Sequence, residues 1–116
     1  MARYERNHPA ISPVEQETLA QKRVLVAGCG GLGGYILEFL GRIGVGSLTA
    51  VDGDVFSDSN LNRQLLSSSE TLGRPKPVCA AERMRLVNPS VTVTPVCEFL
   101  TEENALRIVQ GHDVVV

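Results

Sequence analysis

Residues 23–33, Arg23-Val24-Leu25-Val26-Ala27-Gly28-Cys29-Gly30-Gly31-Leu32-Gly33, decide the fold. Val24 to Ala27 is a short apolar run bounded by basic residues before it and glycines after it. That is the pattern of a strand buried on both faces of a parallel sheet. Directly after the glycines, Leu32, Ile36, Leu37, Leu40 and Ile43 recur at helical spacing. Gly41 and Gly44 lie at the far end of this stretch, where they can stop the helix or let it pack closely. Eight of the eleven glycines fall between Gly28 and Gly46, so backbone freedom or close approach is concentrated there.

Toward the amino terminus, Ser12-Pro13-Val14-Glu15 combines a capping residue, a proline suited to the first helical position and a glutamate that closes a capping box. A short helix is expected from there to about Gln21. Toward the carboxyl terminus, Ser47 to Asp52 reads as a second strand and Pro77 to Val87 as a helix stopped by Asn88-Pro89. Val91 to Val96 follows as a third strand. Thr101-Glu102-Glu103-Asn104 opens a helix to about Gln110, and Asp113 to Val116 begins a fourth strand. This alternation predicts an α/β, Rossmann-like, doubly wound and mostly parallel sheet with flanking helices and right-handed crossovers. The polar run from Ser57 to Pro77 is the one candidate linker. The sequence stops inside the fourth strand, and the loop after such a strand supplies part of a ligand site. The chain is therefore expected to be the front part of a longer protein.

A length of 116 residues, 43% hydrophobic and 21% charged, fits one domain or a piece of one. Such a chain buries roughly two-thirds of its unfolded surface, so no disulfide or structural metal is required. Eleven basic against thirteen acidic side chains give a net charge of −2 with no basic run, which points away from nucleic acid. The apolar stretches are broken well short of the roughly 18 residues of a membrane span, and the first six residues lack an apolar signal segment. A cytoplasmic location is the expectation. Cys29, Cys79 and Cys97 contain no Cys-x-x-Cys pair, and His8 and His112 lie at opposite ends of the chain. No metal site built from histidine and cysteine is expected. Cys29 reads as a small packing residue, Cys79 and Cys97 as core or half-buried residues, and both histidines as structural or solvated.

The segment Gly28-Cys29-Gly30-Gly31-Leu32-Gly33, set between strand and helix and followed by Asp52 at the end of the next strand, is a dinucleotide-type fingerprint. One glycine permits the tight turn, another lets backbone amides approach phosphate oxygens, and the helix start offers unpaired N–H groups. Asp52 can accept hydrogen bonds from a ribose hydroxyl pair. A plainer reading keeps the glycines for helix–sheet packing and Asp52 as a strand-end cap. The fold alone does not choose among NAD, FAD, S-adenosylmethionine and ATP. Charge offers a guide, because a triphosphate calls for fixed cations more than a dinucleotide pyrophosphate does. Asn60-Leu61-Asn62-Arg63-Gln64 and Gly73-Arg74-Pro75-Lys76 supply candidates.

These residues, taken together, resemble the ThiF/MoeB/HesA adenylyltransferases, relatives of the ubiquitin-activating enzymes. The resemblance runs through Arg3-Tyr4-x-Arg6, the fingerprint, and Gly44-Val45-Gly46-x-Leu48-Thr49-x-x-Asp52-x-Asp54. It continues through Ser59-Asn60-Leu61-x-Arg63-Gln64, Gly73-x-Pro75-Lys76 and Asn88-Pro89, and so covers nearly the whole chain. It implies ATP-dependent adenylation of a carboxylate, often the C-terminal glycine of a ubiquitin-like sulfur-carrier protein, with release of pyrophosphate. By the same resemblance, Gly28, Gly30, Gly31, Leu32 and Gly33 line the phosphate and adenosine site, and Asp52 holds the ribose. Asn60, Arg63 and Lys76 contact the triphosphate, Gln64 supports them, and Asp54 is a further candidate. Arg63, Lys76 and Arg6 are the catalytic candidates, with Arg6 reaching the site of the partner in a homodimer.

The resemblance also implies Mg2+, held by an aspartate beyond residue 116. This chain alone is expected to bind nucleotide weakly or to be inactive. Residues 1–22 are expected to form an arm with a short helix, and 23–116 the front of the ATP-binding domain. The family's usual arginine–glutamine start appears here as Arg6-Asn7. The alternative is the nucleotide-binding domain of an NAD(P)- or FAD-dependent oxidoreductase, which would need neither Arg63 nor Lys76.

Overall fold

In the computed structural model, which describes residues 2–116, four strands pair in parallel in the order β3-β2-β1-β4. They are β1 (Arg23–Ala27), β2 (Ser47–Val51), β3 (Thr92–Val96) and β4 (Val114–Val115). The helices are α1 (Pro13–Ala20), α2 (Gly33–Ile43), α3 (Lys76–Val87) and α4 (Ala105–Val109). Side chains alternate across a strand, so β1 and β2 feed two separate cores. Val24, Val26, Leu48 and Ala50 join Leu37, Cys79, Ala80 and Met84 from α2 and α3 on one face. Leu25 and Val51 meet Ile108 of α4 on the other. Helices on both faces of a parallel sheet make the doubly wound α/β fold that the sequence predicts.

Strand order reverses between β1 and β4, so the crevice beyond their carboxyl ends is the place where such sheets bind ligands. Both α2 and α3 begin at that same edge, because each follows the strand that ends there. The Ser12–Glu15 capping box forms as expected, with Ser12 N donating to Glu15 Oε1 at 2.9 Å and Glu15 N to Ser12 Oγ at 3.2 Å. Gly44 ends α2 in the left-handed region, and Gly41 lets α2 approach Met84 of α3.

Buried Glu38 on α2 accepts from Arg83 of α3 at 2.8 and 2.9 Å and from Arg42 at 2.9 Å. The N-terminal arm docks at the opposite ends of these helices. Asn88 Nδ2 donates to Tyr4 Oη and to the Gly41 carbonyl, Asn7 Nδ2 to the Ile43 carbonyl, and Arg3 to the Val87 carbonyl.

Three expectations are corrected. The run from Ser57 to Pro77 is not a linker: it bridges at Val55–Pro75 and Phe56–Leu72 and buries Phe56, Asn60, Gln64 and Leu66. Thr101 to Asn104 is a turn leading into α4, which begins at Ala105, rather than its first turn; Thr101 and Asn104 exchange side-chain-to-backbone bonds that close this turn. Cys97 stands just past the end of edge strand β3 and is exposed, while Cys79 is buried as expected.

Candidate functional site

The glycine turn leaves β1 with Gly28 in the left-handed region, and its amide donates to the Val51 carbonyl at 2.7 Å. A Cβ on Gly33 would stand 1.7 Å from the Gly28 carbonyl oxygen, so only glycine lets α2 start this close to the turn. Gly28, Gly30, Gly31, Leu32 and Gly33 line a cavity of about 210 Å3 with Val26, Ile36 and Val116. Four of these five candidates are glycines, so the chain entering α2 meets the cavity with open backbone; of the amides in the first turn, Gly34 donates to the Gly30 carbonyl at 3.1 Å and Ile36 to the Leu32 carbonyl at 3.0 Å. Leu32 is exposed beside it.

Asp52 lies at the end of β2, half-buried beside this loop. Its Oδ2 accepts from the Cys29 amide and its Oδ1 from the Asp54 amide, both at 2.9 Å. Each carboxylate oxygen keeps further acceptor capacity, so the strand-end cap and a ribose acceptor are compatible roles in one side chain. Cys29 is wholly buried, and its thiol is pushed up to about 12, first by burial and then by the Asp52 carboxylate. It is a neutral packing residue, in line with the expectation from sequence.

Lys76 is the unusual group. It opens α3, where the helix dipole disfavours a cation, yet its side chain is only 6% exposed. Its Nζ lies 3.5 Å from Asp54 Oδ2 and 5.4 Å from the centre of the Phe56 ring. A buried cation at the positive end of a helix, opposite one exposed carboxylate, is arranged to meet further negative charge.

Asn60 and Gln64 sit in the packed segment after β2. Asn60 Oδ1 accepts from Ser57 N at 2.9 Å, and its carbonyl accepts from Gln64 N at 2.9 Å. Gln64 is buried with its amide against the glycine turn, where a Cβ on Gly30 would meet Nε2 at 3.5 Å. Its Oε1 has no hydrogen-bond partner among the described residues, a costly state that a ligand donor or a reoriented amide would relieve.

The structure brings together the glycine turn, Asp52 and Gln64, with Asp54 and Lys76 following at the same sheet edge. It does not bring in the other cations. Arg63 is exposed, and its guanidinium donates to the Ser59 carbonyl at 2.8 Å and to Asn62 Oδ1 at 3.1 Å. Arg74 is held by Glu82 through bonds of 2.8 and 2.6 Å. Arg6 lies in the N-terminal 3-10 turn, docked at the far end of α2, about 16 Å of helix away from the glycine turn. Among the described residues, no group of three histidine, cysteine or carboxylate side chains is placed to hold a metal ion. Sequence reading missed a second cavity of about 270 Å3 beside the first, lined by Ala27, Gly28, Val51, Asp52, Phe99 and Leu100. The signal was an apolar pair just past a strand end, which periodicity does not flag.

Known proteins resemble this chain in sequence and in fold. The chain is 43% identical over 100 residues to the molybdopterin-synthase adenylyltransferase of Salmonella typhimurium, covering 86% of this chain and 40% of that protein. It is 42% identical over 108 residues to the sulfur carrier protein adenylyltransferase of Thermus thermophilus, covering 93% and 40%. Its fold matches the E. coli tRNA N6-threonylcarbamoyladenosine dehydratase, solved in complex with ATP. That match has a TM-score of 0.92 and 31% identity, over 98% of this chain and 47% of that one. The chain thus spans under half the length of these relatives. A model of the ThiF family matches residues 4–116, nearly the whole chain, and the chain belongs to the ThiF family.

Proposed function

We propose that the protein uses ATP to adenylate a carboxylate, the C-terminal glycine of a ubiquitin-like sulfur-carrier protein, and releases pyrophosphate. In this reaction a carboxylate oxygen forms a bond to the α-phosphorus. The bond from that phosphorus to the bridging oxygen breaks, and its electron pair leaves with pyrophosphate. No proton need move, because the carboxylate is already ionised near neutral pH. The demand on the protein is positioned positive charge and N–H groups where negative charge builds.

The observation that carries this reading is Lys76, a buried cation at the start of α3, at the sheet edge that also holds the glycine turn and Asp52. A dinucleotide site is usually met by backbone amides and has no use for such a cation, which disfavours the oxidoreductase alternative. The carrier as substrate rests on the relatives named above as adenylyltransferases of a sulfur carrier and of molybdopterin synthase. Gly28, Gly30, Gly31, Leu32 and Gly33 take the phosphates, Asp52 the ribose, and Lys76 the triphosphate once ATP displaces it from Asp54. Asn60 and Gln64 back the phosphate site, and Arg63 joins it by leaving its bonds to Ser59 and Asn62. Mg2+ would accompany the ATP phosphates and neutralise part of their charge; the described residues do not form a metal site on their own.

The protein acts as a homodimer in this reading, with Arg6 of one copy serving the other's site. The docking of the arm away from its own glycine turn supports that arrangement. Residues 1–22 are the arm and 23–116 the front of the ATP-binding domain. A cytoplasmic location agrees with three free cysteines. The reading calls for neither nucleic acid nor a membrane as a partner; among the described residues no helix is long and apolar enough to cross a bilayer.

The test is exchange of labelled pyrophosphate into ATP by the full-length protein. Exchange should require a ubiquitin-like carrier with its terminal glycine intact and vanish when that glycine is removed. Exchange indifferent to the carrier would contradict the substrate, and its absence with every carboxylate offered would contradict the reaction.

A further inference from the structure

The N-terminal 3-10 turn, Ala2–Asn7, has two unlike faces. Residues three apart eclipse one another in such a turn, so Tyr4 and Asn7 share a face. Both are half-buried against the chain, while Glu5 and Arg6 between them are exposed. Tyr4 Oη accepts from Asn88 Nδ2 at 2.8 Å. Asn7 Nδ2 donates to Gln16 Oε1 at 2.8 Å and to the Ile43 carbonyl at 3.2 Å. Two anchors therefore bracket Arg6, whose own side chain makes no hydrogen bond or ion pair among the described residues.

The helix ends that hold the arm do not depend on it. Asn88, wholly buried at the end of α3, also donates through Nδ2 to the Gly41 carbonyl of α2 at 2.9 Å. The Ile43 carbonyl at the end of α2 accepts separately from Gln16 Nε2 at 2.6 Å. Without the Tyr4 hydroxyl or the Asn7 amide, each helix end would keep a partner. What these two groups fix is the arm. Gly44 makes room for them: a Cβ there would stand 2.4 Å from Gln16 Nε2 and 3.1 Å from two Tyr4 ring carbons. A terminal arm left loose must be ordered each time it acts, at a cost in conformational entropy, and the two anchors remove that cost.

We propose that Tyr4 and Asn7 are positioning residues that hold Arg6 outward, in the orientation that the partner copy's site requires. The inference rests on the proposed homodimer, in which Arg6 acts across the interface. Neither residue touches the nucleotide. Both act through Arg6, by fixing the arm on the ends of α2 and α3 in advance of the reaction.

The experiment measures pyrophosphate exchange by full-length Tyr4→Phe and Asn7→Ala proteins, alone and in mixtures that have exchanged subunits. Each variant alone should lose roughly three- to tenfold in kcat, the range of one hydrogen bond. A chain with a loosened arm still has a sound site. Mixed with Lys76→Ala, whose arm is sound, it should give exchange well above the mean of the two parents. Mixed with Arg6→Ala, which has no arginine to lend, it should stay at that mean. The reverse pattern, a gain with Arg6→Ala and none with Lys76→Ala, overturns the proposal, because the substitution has then damaged its own chain's site. Wild-type exchange by both variants also overturns it. So does a loss that neither mixture relieves while Arg6→Ala and Lys76→Ala relieve each other, since that loss is one of folding or pairing. Failure of Arg6→Ala and Lys76→Ala to relieve each other overturns action across the dimer, and this inference with it.

Discussion

At the scale of single residues, Lys76 decides more than any other side chain. A buried side-chain amine with one carboxylate 3.5 Å away and an aromatic ring beneath it has few partners, and in the adenylation reading a polyphosphate supplies what is lacking. Lys76→Ala should lower the rate of pyrophosphate exchange by about 10²- to 10³-fold, as loss of one charged transition-state donor does. The measurement is kcat for exchange beside thermal unfolding of the variant. A rate within a few-fold of wild type, with the fold intact, would remove Lys76 from the site. The Gly-x-Pro-Lys motif made this residue visible in sequence. Its burial and its pairing with Asp54 depend on how the segment after β2 folds back, which no local pattern encodes.

At the scale of elements, α2 and α3 position the site because both start at its edge and are clamped together by Glu38. Arg83 first, and then Arg42, hold the Glu38 carboxyl below the usual carboxylate range despite its burial. The folded state therefore favours the ionised form. Its contribution is full above the unfolded value near 4.5 and is lost as pH falls through the lower folded value. Glu38→Gln should cost about 1–3 kcal/mol at neutral pH, toward the low end because Arg42 and Arg83 are each more than a third exposed. Denaturant melts should show that difference flat above about pH 5 and shrinking below it. A difference that grows on acidification would contradict this account.

The elements themselves were largely legible. Burial on both faces gives β1 and β2 continuous apolar runs, and the Ser12 box and the Asn88-Pro89 stop mark helix ends in the chain itself. The stretch from Ser57 to Pro77 was not, because its order comes from a few distant contacts by Phe56 and Leu66 rather than from periodicity. Thr101 to Asn104 misled because the same residues cap a helix or close a turn.

At the scale of the whole molecule, the order β3-β2-β1-β4 puts a switch point beside the glycine turn and collects the turn, Asp52 and Lys76 at one sheet edge. The arm, bound at the other end, keeps Arg6 from its own chain's site. If Arg6 acts in a partner, mixing Arg6→Ala with Lys76→Ala protein should restore exchange that neither shows alone, approaching a quarter of wild-type activity if the chains mix at random and each keeps its site independent. No recovery in mixtures shown to exchange subunits would contradict action across the dimer.

The most direct test of the central claim is parallel calorimetric titration of Mg-ATP and NAD into the full-length protein. The account predicts that Mg-ATP binds, NAD does not, and the Mg-ATP signal weakens in Lys76→Ala. Preferential binding of NAD, unaffected by that substitution, would contradict it and favour a dinucleotide-binding oxidoreductase.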